Sequence, residues 1–140
     1  MIIRQSHTTI YVLDQDRALE FYHGILGLEV RSDIEVPGEN GFRWLTVGPK
    51  AQPDLEIVLM PVQAGPAMDA ETAGHLRALL EKGAMGIGVF ETDDIQRDYA
   101  ELSAKGVHFT DPPREHFYGI DAGVRDNSGN WFRLVQRKKG

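Results

Sequence analysis

Polar and apolar residues alternate along "RQSHTTIYV" near the start of the chain, and a period of two predicts a strand over about Arg4 to Val12. The period then changes. Within "DQDRALEFYHGIL" the apolar positions Ala18, Leu19, Tyr22, Ile25 and Leu26 recur at the spacing of an amphipathic helix, with Asp14 or Asp16 as N-cap and Gly27 as stop. "LEVRSDIEV", "FRWLTVG" and "DLEIVLMP" read as three further strands, separated by the turn-forming "PGENG" and "GPKAQP".

A polar, alanine-rich connection follows, with one short helix predicted over Asp69 to Glu81. After it the same grammar restarts. "MGIGVFET" reads as a strand, "DDIQRDYAELSAKG" as a helix with Ile95, Tyr99 and Leu102 on one face, and "VHF", "FYGIDAGVRD" and "NWFRLVQ" as strands. The Pro-rich "DPPREHFYG" reads as a loop entering the seventh strand.

The repetition holds in register. A shift of 80 lays His7 on Ile87, Leu19 on Tyr99 and Tyr22 on Leu102, a shift of 79 lays Gly27 on Gly106, and a shift of 77 lays Glu56 on Arg133. Identity between the copies is low and pattern agreement good. The expected fold is therefore α+β: two βαβββ modules forming curled mixed sheets around a shared cavity. A single domain is expected, with module 1 at about 1–62, a connection at about 63–83 and module 2 at about 84–140.

Composition narrows the function. The 140 residues contain no cysteine, which removes disulfides, thiolate metal sites and cysteine nucleophiles. With 15 basic against 21 acidic residues the net charge is −6, and the only basic cluster is the terminal "QRKKG", so no nucleic-acid partner is expected. No apolar run approaches the roughly 20 residues of a membrane span and no charged-then-apolar leader is seen, so no membrane partner and a cytoplasmic location are expected. No Ser-His-Asp order, Walker pattern or paired-carboxylate glycosidase signal stands out. Gly86 and Gly88 lie inside a strand pattern and lack the following helix start of a phosphate loop.

Several side chains carry candidate chemistry. His7 is a satisfied histidine on a cavity-facing strand, a metal ligand, or a proton-transfer and hydrogen-bonding group; the sequence leaves all three open. Glu56 points opposite to Ile57, and an inward carboxylate must be paired, protonated or hydrogen-bonded, which makes it the best catalytic candidate if there is catalysis. Trp44 and Thr46 alternate with Phe42 along the third strand and are read as cavity wall. His116 and Tyr118 fall at a loop of the kind that builds pocket rims. His23, His75 and His108 are assigned to the surface.

Three stretches carry a family likeness: "HTTIYVLDQDRALEFYHGILGLEV", "DDIQRDYAELSAKGV" and "RDNSGNWFRLVQ". Through them the chain resembles the vicinal oxygen chelate superfamily, the fold of glyoxalases, bleomycin resistance proteins and extradiol dioxygenases. In metal-using members each module supplies two ligands. The resemblance puts these positions at His7 and Glu56 in the first module, and at Ile87 and Arg133 in the second. Isoleucine has no lone pair to give and arginine is always cationic, so only half of a metal site is expected. A one-residue error on the fifth strand moves the third position to Gly86 or Gly88, which have no side chain either.

The resemblance implies a small-molecule-binding protein that sequesters or carries its ligand, with His7, Trp44, Glu56, Ile87, His116 and Arg133 as ligand-binding candidates and no cofactor expected. The alternatives are a metal-dependent lyase, isomerase or dioxygenase holding a divalent ion through His7 and Glu56, and a metabolite-sensing non-catalytic subunit. A homodimer is expected. Because Glu56 and Arg133 occupy equivalent strands, a contact between them is also expected, with guanidinium donors left over for an anionic or carbonyl group.

Overall fold

The computed structural model describes residues 1–139. By contact density the chain divides into two compact units, Met1–Gly74 and a second beginning at His75, the division falling inside a helix.

The first unit runs β1 (His7–Val12), α1 (Gln15–Leu19), a π-helical stretch (Glu20–Ile25), β2 (Glu29–Glu35), β3 (Arg43–Gly48) and β4 (Glu56–Pro61). Its four-stranded sheet has the order β1-β4-β3-β2. β1 lies parallel to β4, and β4-β3-β2 are antiparallel. β1 begins at His7 rather than Arg4 because its partner runs out: the register opens on His7 opposite Glu56, the first residue of β4. Asp14 is the cap of α1, its carboxylate accepting from the Arg17 amide at 2.9 Å. At the other end Gly27 takes the left-handed backbone (φ 78°) that lets the chain turn into β2.

α2 (Ala70–Glu81) connects to the second unit, which runs β5 (Gly86–Glu91), α3 (Ile95–Ala104), β6 (Phe109–His116), β7 (Gly119–Arg125) and β8 (Trp131–Arg137). Its sheet has the order β5-β8-β7-β6, the same plan as the first, with β5 parallel to β8. α3 is capped by Asp94, whose carboxylate accepts from the Arg97 amide at 3.0 Å.

β6 is longer than the pattern predicts. The segment read as a Pro-rich loop is strand through His116, because β6 is a sheet edge where Pro112 and Pro113 cost no ladder bond, and the register slips between Asp111 and Arg114 to accommodate them. Both sheets have one apolar face. In the first, Ile10, Val12, Leu45, Val47, Ile57 and Leu59 are all buried, and in the second Ala122, Val124, Phe132 and Leu134. Among the described residues no helix is long and apolar enough to cross a membrane.

Candidate functional site

Alternation places the polar candidates on the face opposite that apolar one. In the first unit His7 and Glu56 are register partners on parallel β1 and β4, so their side chains leave the sheet together. His7 Nε2 lies 3.0 Å from Glu56 Oε2. A carboxylate only accepts, so Nε2 carries the hydrogen, and Nδ1 shares a hydrogen bond with the Ser6 hydroxyl at 2.8 Å. The second carboxylate oxygen, Oε1, accepts from the Thr46 hydroxyl at 2.8 Å. Thr46 is fully buried, whereas the His7 and Glu56 side chains are 41% and 32% exposed, so the pair opens to solvent from a rigid floor. Trp44, on the same face of β3, sets its ring 6.1 Å from that of His7, tilted by 51°.

The second unit carries a different arrangement. Arg133 on β8 points two nitrogens, Nη1 and Nη2, at the two oxygens of Asp111 on β6, at 2.9 and 3.0 Å. Its Nε donates to Asp121 Oδ2 on β7 at 3.0 Å. To reach β6 from β8 the guanidinium must pass over β7, and the register puts Gly123 beneath it, opposite both Arg133 and Asp111. A methyl group there would stand 2.4 Å from Asp111 Oδ1 and 2.8 Å from Arg133 Nη1. Glycine is what leaves room for this ion pair.

Asp121 is the buried member of the group, its side chain 8% exposed. His116 Nε2 lies 3.0 Å from its Oδ1. The His116 and Tyr118 rings stack, 5.2 Å between centroids and 3° from parallel. Arg133's hydrogen bonds hold the carboxyls of Asp121 and Asp111 below their usual range, and the same bonds push the Arg133 pKa upward. Burial, and then the bond to Asp121, raises the Tyr118 phenol.

Two expectations are corrected by this geometry. Within its own unit Glu56 is held by His7 and Thr46, and Arg133 by Asp111 and Asp121. The residue beside Arg133 on β5 is Val89, two positions beyond Ile87; one of the two comes from a register slip between Gly86 and Val89, where Gly88 takes a φ of 115°. Ile87 is half-buried one bulge away from the position the repeat assigns to it. His116 closes a strand rather than lining a loop, and its partner Asp121 comes from the neighbouring strand. His23, His75 and His108 are exposed, as expected.

The donor set does not fit a resident divalent metal. His7 and Glu56 are hydrogen-bonded to each other, Ile87 and the Val89 paired with Arg133 have no lone pair to give, and Arg133 is a cation already claimed by two carboxylates. Among the described residues no group of three or more His, Asp or Glu is placed to hold an ion. Sequence reasoning does not single out Asp111, Asp121 or Gly123; the one signal is the alternation Gly119, Asp121, Gly123, which puts a carboxylate between two glycines on one strand face.

Residues 4–134 match the Glyoxalase/Bleomycin resistance protein/Dioxygenase superfamily. The chain is 34% identical over 131 residues to the uncharacterized protein YurT of Bacillus subtilis (strain 168), covering 93% of this chain and 96% of that protein. Among solved structures it is similar to UcmS2, with 45% identity, a TM-score of 0.88, and 96% and 98% of the two chains covered. It is also similar to TnmS3, described as an antibiotic binding protein from Streptomyces sp. CB03234, with 30% identity, a TM-score of 0.73 and 98% of both chains covered.

Proposed function

The chain belongs to the Glyoxalase/Bleomycin resistance protein/Dioxygenase superfamily, and from that premise we propose that it is a small-molecule-binding protein that sequesters or carries its ligand. The observation that carries the reading is the pairing of the side chains at the superfamily's ligand positions: they form closed hydrogen-bonded groups suited to orienting a ligand rather than open donors suited to an ion. The whole-length likeness to TnmS3, an antibiotic binding protein, supports it. On this reading Trp44 offers an aromatic surface, His7 and Glu56 offer a fixed donor and acceptor pair, and in the second unit Arg133 and His116 border the ligand while anchored on Asp111 and Asp121. The protein works in the cytoplasm as a homodimer.

A thermal-shift screen of natural-product antibiotics tests this directly, since a ligand at a hundred times its Kd stabilises by about 2.7 kcal/mol. A concentration-dependent rise in Tm for at least one compound is expected. Elemental analysis after exhaustive dialysis is the second arm: a stoichiometric divalent ion lost on mutation of His7 overturns the reading in favour of a metal-dependent lyase, isomerase or dioxygenase.

A further inference from the structure

The first unit holds a cleft of about 680 Å³ lined by none of the ligand-binding candidates His7, Trp44 and Glu56. It is bounded by residues 38–43, the loop between β2 and β3, by residues 63–66 after β4, and by Gln15 at the start of α1. A volume of this size suits a drug-sized molecule.

Gln15 decides what such a molecule would have to be. Its amide nitrogen, with two hydrogens, donates to the carbonyl oxygens of Arg43 at 3.2 Å and Leu59 at 3.0 Å. Both acceptors are main-chain carbonyls of neighbouring strands, so the orientation of the amide is fixed and its donors are used up. Gln15 lines the cleft, and with both donors committed its Oε1 is the polar atom it has left to offer a ligand. The charges nearby point the same way. Arg43 is the cation of the wall, and Asp33 takes its Nε and Nη2 at 2.8 and 3.0 Å while Asp16 takes Nη1 at 2.7 Å. Glu39 adds a further carboxylate to the lining. Among the described residues that line the cleft there is no uncommitted cation, so an anion would meet repulsion and a desolvated ligand donor would meet a partner. Phe42 and Pro66 supply apolar surface beside Gln15.

We propose that this cleft binds an uncharged or cationic aromatic molecule through a hydroxyl or N–H donor given to Gln15 Oε1. The proposal rests on the reading of the chain as a small-molecule binder and adds a second place, apart from His7, Trp44 and Glu56, with its own chemistry. Three matched probes separate the terms: naphthol, its methoxy ether, which has no donor, and the corresponding naphthoate, which is anionic at neutral pH. Amide-resolved NMR titration of the whole protein is the readout. Naphthol is expected to give saturable shifts at Gly38, Gly41, Ala64, Gly65 and the Gln15 side-chain amide, with the ether weaker by roughly three- to tenfold, the value of one hydrogen bond, and the naphthoate weaker still. Gly65→Phe is the blocking variant. A Cβ at Gly65 meets nothing within 4 Å, so the fold has room for a side chain at this lining position; loss of naphthol binding with the rest of the spectrum unchanged is expected. Equal binding of naphthol and ether, retention of binding in Gly65→Phe, or no saturable shift with any of the three overturns the cleft proposal. Saturable shifts confined to Trp44, Thr46 and Val58 also overturn it, while leaving the small-molecule reading intact.

Discussion

The two sheets share a strand order and differ in how they satisfy the charged groups on their polar faces. In the first unit one carboxylate, Glu56, is held by an imidazole N–H and a hydroxyl, and the pair remains about a third exposed. In the second, one guanidinium is shared by two carboxylates, and the inner one, Asp121, is nearly buried. Exposure makes the first group adjustable and cheap, whereas the second is costly to disturb at its inner member, because losing Arg133 strands the Asp121 carboxylate away from water. The same backbone plan thus carries a soft polar pair in one unit and a rigid charge cluster in the other.

That contrast is broken most severely by Asp121→Ala. Removing a buried partner of a guanidinium costs about 3–5 kcal/mol in the extreme, and because Arg133 keeps Asp111 and is a third exposed we expect about 2–3 kcal/mol from urea unfolding. Gly123→Ala comes next, at about 1–2 kcal/mol, since its methyl group collides with Thr110, Asp111 and Arg133 at once. A Gly123→Ala protein as stable as the parent would show that the Arg133 to Asp111 pair contributes nothing.

Acid sharpens the comparison further. Asp111 and Asp121 lie below the ordinary value of 3.8 in the folded chain. As pH falls the unfolded chain therefore takes up protons first, so their contribution is complete above about pH 5 and is lost as pH drops through the folded values. The urea midpoint should fall less between neutral pH and about pH 3 in Asp111→Asn than in the parent; identical slopes would remove the second unit's claim to acid sensitivity. The smallest effect is expected in the first unit, where Glu56→Gln keeps a hydrogen bond to Thr46 and should change stability by less than about 1 kcal/mol. If Glu56→Gln instead costs as much as Asp121→Ala, the distinction between the two faces fails.

Most of the architecture was legible because period and capping residues agree locally: Asp14 and Asp94 cap where a helix should start, and the strands alternate where one face is buried. What escaped reading has a common physical origin in sheet register. The bulge at Gly86 to Gly88 moves the fifth strand by a residue, and the slip at Pro112 and Pro113 extends the sixth. Neither is visible to a periodicity that assumes regular pairing. Glu56 was expected to need a partner, and it has two, but they come from β1 and β3. Likewise the partners of Arg133 come from strands 12 and 22 residues away in sequence. Pairings of that range are decided by tertiary packing, and a local pattern carries no record of them.

The bare α-carbon at Gly123 ties three positions into a single hereditary unit. A lineage that gains a side chain at 123 has to give up the reach of Arg133 or the carboxylate at 111, and one that loses Arg133 leaves two repelling acids beside an unfilled gap. Single changes at 111, 123 and 133 are each penalised while the combined change is not, so related chains should vary at these sites together or hardly at all, and the order in which substitutions can accumulate is restricted by a missing methyl group.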